Sequence, residues 1–250
     1  MLHLRMALRI VFLGSKPIGY QCLQYLLEKR EALDIEVVGV RTRLRREFNG
    51  DSDLAALASQ HHVPLLPSLD EIPDCDIIYS VQHHELLQRK HIEKAGNIAV
   101  NLHLAPLPEY RGCNQFSFAI MDGATEFGAT LHAIDTLIDH GDVLFEQRFS
   151  IPDHCWVNEL YELTFGAAVT LFRDSLKPLL DGNYNRLSQA ELRKERTTSL
   201  HFREEINALK QINLSDEAAV IERRIRATYM PGFEPPYTLI GDKKVYFKVD

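Results

Sequence analysis

The sequence predicts an α/β fold, a doubly wound and mostly parallel sheet with a short α/β carboxyl-terminal extension ending in a hairpin. Three observations predict it. Up to residue 104, β-rich runs alternate with segments of helical spacing, the pattern of parallel strands joined by crossover helices. After residue 126, two β-rich runs flank a short turn. Near the end, Gly241-Asp242 separates two further β-rich runs, a hairpin signal.

The elements follow in order. LRIVFLG (8–14) is a β-rich run closing on a glycine. Apolar residues at 18, 22, 23, 26 and 27 give helical spacing over Ile18–Lys29. IEVVGV (35–40) reads as a second buried strand, Leu54–Gln60 as a helix and VPLL (63–66) as a short third strand. CDIIYSV (75–81) and NIAVNLHL (97–104) read as the fourth and fifth. Ligands in such sheets gather at the carboxyl ends of strands. That singles out GSKPIG (14–19), QHHELL (82–87) and NLHLAPLPEYRGCNQF (101–116). Phe116–Met121 is expected to be a short helix. FGATLHAID (127–135) and DVLFEQRFSI (142–151) are expected to be strands flanking TLIDHG. Val157–Leu180 carries apolar residues at 157, 160, 161, 165, 168, 172 and 176, a long helix. A polar stretch around 182–199 crosses the surface. Ser215 is placed to cap a helix running to about Thr228. Residues 230–249 combine a proline-rich loop with the hairpin.

Composition narrows the function. The chain has 250 residues, is 45% hydrophobic and carries a net charge of −7, without the bulk positive field of a nucleic-acid binder. No apolar run is long enough to span a membrane. The first residues lack the h-region and cleavage site of a signal peptide, and Met6 is an alternative start. Four cysteines, far apart and without a CxxC pair, fit a reduced, cytoplasmic protein.

Several motifs carry chemistry, each beside a plainer alternative. GSKPIG has only part of the G-x-G-x-x-G fingerprint, since Lys16 occupies the second glycine position, so a tight turn with some ligand contact is the better reading. His61-His62 and His83-His84 lack ligand spacing with a carboxylate or cysteine set, and no metal is expected there. Asn101 and His103, two apart on a strand, point to one face. Asp135 and Asp139 alone would be turn residues. Asn101, His103 and Asp139 together offer an oxyanion-stabilising amide, a titratable imidazole and a carboxylate to orient it, equipment for acyl transfer without a metal.

These motifs carry a resemblance. Asn101-Leu102-His103, Pro108-Glu109-Tyr110-Arg111-Gly112, Gly128-Ala129-Thr130-Leu131-His132 and Asp139-His140-Gly141-Asp142, in that order, resemble the folate-dependent formyltransferase family over residues 8–180. Leu104-Ala105 departs from the His-Pro-Ser of many members and removes a hydroxyl from the loop. The form H-x-A-P-L-P-x-Y-R-G-x-N-Q and the tail PGFEPPYTLIGDKKVYF resemble the branch acting on amino-sugar nucleotides. The resemblance implies a Rossmann-like formyltransferase core over 1–180 and a carboxyl-terminal extension over 181–250. It implies N10-formyltetrahydrofolate as formyl donor, no metal, and an amino deoxysugar linked to a nucleotide, dTDP foremost, as acceptor. Asn101, His103 and Asp139 would be catalytic. Gln82, His83, Glu85, Leu86, Leu87, Asp135 and Ile138 would hold the donor. Arg111 would bind a phosphate or sugar hydroxyl, Asn114 the sugar, and Phe202, Tyr229 or Phe233 the base, though each aromatic could instead be plain core.

Rival readings remain at this point. Formylation of methionyl-tRNA would call for a basic surface and the basic β-barrel domain of those enzymes, of which the sequence carries no trace. Another small amine, such as glycinamide ribonucleotide, would use the same chemistry. A formyl-folate hydrolase would need a further domain, and a non-enzymatic folate-binding module would have no use for the asparagine, histidine and aspartate together. The apolar carboxyl-terminal half suggests a homodimer.

Overall fold

The computed structural model describes residues 7–43 and 52–248. Met6 and Val249, named above, lie outside the described residues. Strands β1 (Leu8–Gly14), β2 (Ile35–Arg41), β3 (Cys75–Val81) and β4 (Ala95–His103) pair in parallel. A two-residue strand, β5 (Arg111–Gly112), follows in the loop beyond β4. Then β6 (Glu126–Ala133) pairs antiparallel with β4, and β7 (Val143–Ser150) antiparallel with β6. The sheet order is β2-β1-β3-β4-β6-β7.

Helix α1 (Lys16–Lys29) connects β1 to β2, and α2 (Leu54–Gln60) precedes β3. Short helices α3 (Arg89–Ile92) and α4 (Gln115–Met121) flank β4 and its loop. The long helix α5 (Val157–Leu180) follows β7, starting and stopping where its apolar period does. Alternation along β1 sends Ile10 and Phe12 into one layer with Leu23, Leu26, Leu171 and Phe172, and Val11 and Leu13 into another with Leu66, Leu69, Ile72 and Ile78. Both faces are covered, so the strands read as continuous apolar runs.

Two expectations fail for local reasons. VPLL is not a strand. It makes one bridge, Val40 to Leu65, with Leu66 N–H donating to the Val40 carbonyl at 2.8 Å. Pro64 and Pro67 lack the N–H groups a ladder would need. Ser215 does not cap a helix. Its N–H donates to Asn213 Oδ1 at 3.1 Å in a turn. Beyond α5 come α6 (Gln189–Leu192), β8 (Leu200–His201), which pairs with β5, and α7 (Ile206–Lys210). Helix α8 (Ala218–Thr228) starts after Glu217 instead. The final hairpin forms as expected, β9 (Tyr237–Ile240) against β10 (Lys243–Tyr246), with Gly241 at φ 61° in its turn.

The chain leaves β1 toward β2 on one side and returns as β3 on the other. The crevice at the carboxyl ends of β1 and β3 is therefore the topological switch point, where α/β sheets bind ligands. Lys16 and Gln82, both at positive φ, stand there, and Lys16 Nζ donates to Gln82 Oε1 at 2.9 Å.

Candidate active site

One strand further on, β4 delivers Asn101 and His103 to the same face. His103 is buried, and its Nε2 lies 2.7 Å from the Tyr110 carbonyl oxygen. A carbonyl only accepts, so Nε2 carries the hydrogen, and in the neutral ring Nδ1 is left with a lone pair. That Nδ1 faces Asp139 Oδ2 at 3.6 Å.

His132 completes the group, although no role was read for it from the sequence. The antiparallel register of β4 and β6 sets it directly opposite Asn101. Its Nδ1–H is held by the Ala133 carbonyl at 2.8 Å, so its Nε2 must accept, and Asn101 Nδ2 donates to it at 3.1 Å. Asn101 Nδ2 also lies 3.5 Å from Asp139 Oδ1. The sequence-level signal was its place in the Gly128–His132 segment, but only the register reveals its partner.

Asp139 reaches this group from the loop between β6 and β7, with φ at 46°, which aspartate tolerates better than most residues. Gly112 N–H donates to its Oδ2 at 2.9 Å. Burial opposes ionisation of this carboxyl. The neighbouring His103 and His132 imidazoles and the Gly112 N–H outweigh it and hold the group well below the usual carboxylate range. The loop is closed at its neck by Ala133 N–H bonding to the Asp142 carbonyl at 2.9 Å. Gly141 is required there, since a Cβ would lie 1.9 Å from the Ala133 oxygen. The Gln189 amide of α6 donates to the carbonyls of Asp139 and Gly141, both at 2.9 Å. The polar stretch that the sequence assigned to the surface thus supplies a support for the loop.

On the β5 side, Arg111 Nε donates to the Ser199 carbonyl at 3.3 Å. Burial and the neighbouring charge of Arg193 lower its pKa, while Asp139 opposes that shift. Asn114 sits at φ 59° before α4, and its amide is committed to the Phe202 and Arg203 carbonyls at 2.9 and 3.2 Å, leaving only its oxygen for a ligand. This contact brings Phe202, 53% exposed, beside the loop. Phe233 is half exposed in the loop after α8. Tyr229, half-buried, meets Trp156 edge to face, with ring centroids 6.3 Å apart.

At the switch point, Gln82 is held by Lys16 as above. Glu85 is gripped by Arg41 at the end of β2, with Nε to Oε2 at 2.9 Å and Nη2 to Oε1 at 3.2 Å. Leu86 is exposed, while Leu87 packs on the layer containing Val11 and Leu13. Asp135 accepts from Leu137 N–H at 2.8 Å and pairs with His140 at 2.7 Å, and Ile138 is half-buried beside Asp139. Burial, then the charge of His84, pushes the His83 imidazole down to about 4. In the folded loop Glu85, the next residue along the chain, lies against both histidine rings, at 3.3 and 3.6 Å.

The arrangement can move a proton and steady a negative oxygen. His103 Nδ1 and Asp139 Oδ2 are two acceptors facing each other, a place where a released proton is held between them. The Asn101 amide lies alongside as a hydrogen-bond donor.

Comparison with known proteins follows the same line. The formyl transferase family model matches residues 58–171. A GDP-perosamine N-formyltransferase of Brucella melitensis is 28% identical over 176 residues, covering 70% of this chain and 64% of that protein. A methionyl-tRNA formyltransferase of Clostridioides difficile is 24% identical over 191 residues, covering 70% and 60%. The chain thus matches less than two thirds of the length of either relative. The fold is that of an N-formyltransferase from Helicobacter canadensis, solved with folinic acid and dTDP-3-aminofucose, at TM-score 0.76 and 21% identity over 95% of this chain and 86% of that one. Asn101, His103, His132 and Asp139 all fall within the span matched by the formyl transferase family model.

Proposed function

We propose that this chain transfers a formyl group from N10-formyltetrahydrofolate to the amino group of a nucleotide-linked amino deoxysugar, yielding an N-formylated sugar for surface polysaccharide such as the O-antigen of lipopolysaccharide. The observation that carries the reading is the pair His103 Nδ1 and Asp139 Oδ2, 3.6 Å apart with Asn101 beside them, inside the span matched by the formyl transferase family model. The donor's fit is supported by the switch point, where the side chains of Ser15 and His83 are buried without a hydrogen-bond partner. Gln82, His83, Glu85, Leu86 and Leu87 would hold it from the β3 end, and Asp135 and Ile138 from the Asp139 loop.

Asn101 would donate to the formyl oxygen as the attacking amine adds to its carbon and the oxygen gains charge. The amine's proton would pass to His103 Nδ1, whose other nitrogen is anchored on Tyr110, and from there to N10 of the donor as the formyl C–N10 bond breaks and tetrahydrofolate leaves. Asp139, kept ionised by its surroundings, would stabilise the imidazolium and fix its orientation. Arg111 would meet the diphosphate with Arg193 nearby, Asn114 the sugar through its oxygen, and Phe202 or Phe233 the base. Tyr229, taken up by Trp156, is the weakest of the aromatic candidates. A dTDP-linked sugar is favoured because the structural relative holds one.

In this reading residues 1–180 form the catalytic core and 181–250 an extension that braces its loops. The protein acts in the cytoplasm. It pairs as a homodimer through exposed apolar residues of the final hairpin, Leu239, Ile240, Val245 and Tyr246. Among the described residues no helix is long and apolar enough to cross a membrane.

Methionyl-tRNA is the second reading, favoured by the Clostridioides difficile relative and opposed by the net charge of −7. Incubation with the formyl donor, several amino-sugar nucleotides, free amino sugars and charged tRNA, followed by product mass, separates the two. Formylation of tRNA or of the free sugar as readily as of the nucleotide sugar would overturn the proposal.

A further inference from the structure

We propose that His83, His84 and Glu85 form a binding site for a zinc-class divalent cation at the carboxyl end of β3. Their ligand atoms all lie within 4.8 Å of one another. His83 Nε2 is 3.3 Å and His84 Nε2 3.6 Å from the same oxygen, Glu85 Oε2. Zinc binds imidazole nitrogen and carboxylate oxygen at about 2.0–2.2 Å in a tetrahedron, so two ligands on one ion stand about 3.3–3.6 Å apart. The two histidine-to-Glu85 separations match the edge of such a tetrahedron.

A second observation points the same way. The His83 side chain is only 1% exposed, yet neither of its ring nitrogens makes a hydrogen bond. A buried imidazole with both nitrogens unused is costly. It approaches Glu85 closely without hydrogen-bond geometry, as two ligands sharing an ion do. The Arg41 fork fixes the carboxylate and takes one lone pair of Oε2, leaving the other for a metal. Its positive charge tempers the affinity, so an exchangeable ion fits better than a permanent structural one. Three protein ligands also leave one coordination position open.

The ion would occupy the donor end of the switch point, next to Gln82. If the proposed function holds, zinc should therefore compete with the folate donor, raising its KM without lowering kcat. That consequence rests on the folate reading, whereas the binding site itself does not.

The test is a titration of the whole chain, stripped with chelator and free of folate, with zinc chloride by calorimetry and with cobalt(II) chloride by visible absorption. One ion per chain is expected, with the intense cobalt bands of four-coordination. His84→Ala and Glu85→Gln should each weaken binding at least about tenfold, while His154→Ala, 79% exposed and distant in sequence, should not. Absence of saturable binding, or binding unchanged in both H84A and E85Q, would overturn the proposal. Binding without competition against the donor would leave the metal site standing and count against the folate placement.

Discussion

Asp139→Asn is the sharpest probe of the proposed chemistry because it removes a charge and leaves the shape. The amide oxygen can still accept from Gly112 N–H, now bonded at 2.9 Å, and the amide nitrogen can turn toward the other side of the site. The expected loss comes from the imidazolium that His103 becomes when it takes the amine's proton. With the carboxylate 3.6 Å from Nδ1, the lost attraction is about 4–5 kcal/mol at an effective dielectric of about 20. That corresponds to roughly a 10³-fold fall in kcat, within the ordinary range for a proton-transfer partner. Because the carboxylate acts in the transition state, KM for donor and acceptor should change little. The assay is steady-state product mass on D139N protein with its fold checked by circular dichroism. A folded D139N enzyme with kcat within about threefold of wild type would refute the His103–Asp139 pair as proton holder. The substitution has an acid-side signature as well. The native carboxyl titrates below its unfolded value, so its charge adds stability above about pH 4 and loses it as pH falls through the lowered pKa. The D139N chain cannot titrate there, so part of the acid-side fall in its melting temperature should disappear.

Four other outcomes are expected. Asn101→Ala and His103→Ala should each lower kcat by at least about 100-fold in a folded protein, and wild-type turnover in either would remove that residue from the mechanism. His132→Ala should lower kcat by about tenfold or more while leaving acceptor KM near wild type, since it acts by orienting the Asn101 amide. Arg111→Ala should raise KM for the nucleotide sugar about tenfold and leave donor KM nearly unchanged, the loss of one charge-assisted contact, read from separate titrations of the two substrates. Gly141→Ala places a methyl 1.9 Å from the Ala133 oxygen. It should cost about 1–3 kcal/mol of stability, visible as a lower melting temperature, and loosen the Asp139 loop.

The buried elements were legible because their periods are local. Val157–Leu180 carries its helical spacing in its own side chains, and the structure begins and ends it at those residues. CDIIYSV could be read as a strand for the same reason. VPLL misled because its apolar run suits a strand while its prolines deny it a ladder, and a side-chain pattern does not count N–H groups. Within the site, Asn101 and His103 share a face by strand geometry alone. Asp139 could be joined to them only through the complementary chemistry of the three side chains and the resemblance, since thirty-odd residues separate them in sequence and the loop that delivers it is held by Gly112 and Gln189. His132 depends on a strand register that sequence spacing does not show, and His83-His84-Glu85, although consecutive, need the loop's path to turn both rings onto one carboxylate oxygen.

The two histidines turned toward Asn101 and Asp139 have opposite tasks, set by which ring nitrogen each spends on the backbone. His103 gives Nε2–H to Tyr110 and keeps Nδ1 as an acceptor toward Asp139, where a proton must arrive. His132 gives Nδ1–H to Ala133 and uses Nε2 to take one hydrogen of Asn101. That bond decides which way the Asn101 amide faces. It turns the nitrogen toward the site and leaves its second hydrogen only a 3.5 Å contact with Asp139, at the edge of hydrogen bonding. A bond that weak is given up at little cost. A developing oxyanion, charged and able to approach more closely, would win that hydrogen. The strong bond to His132 thus orients the amide, and the weak one keeps its remaining donor available for the moment when negative charge appears.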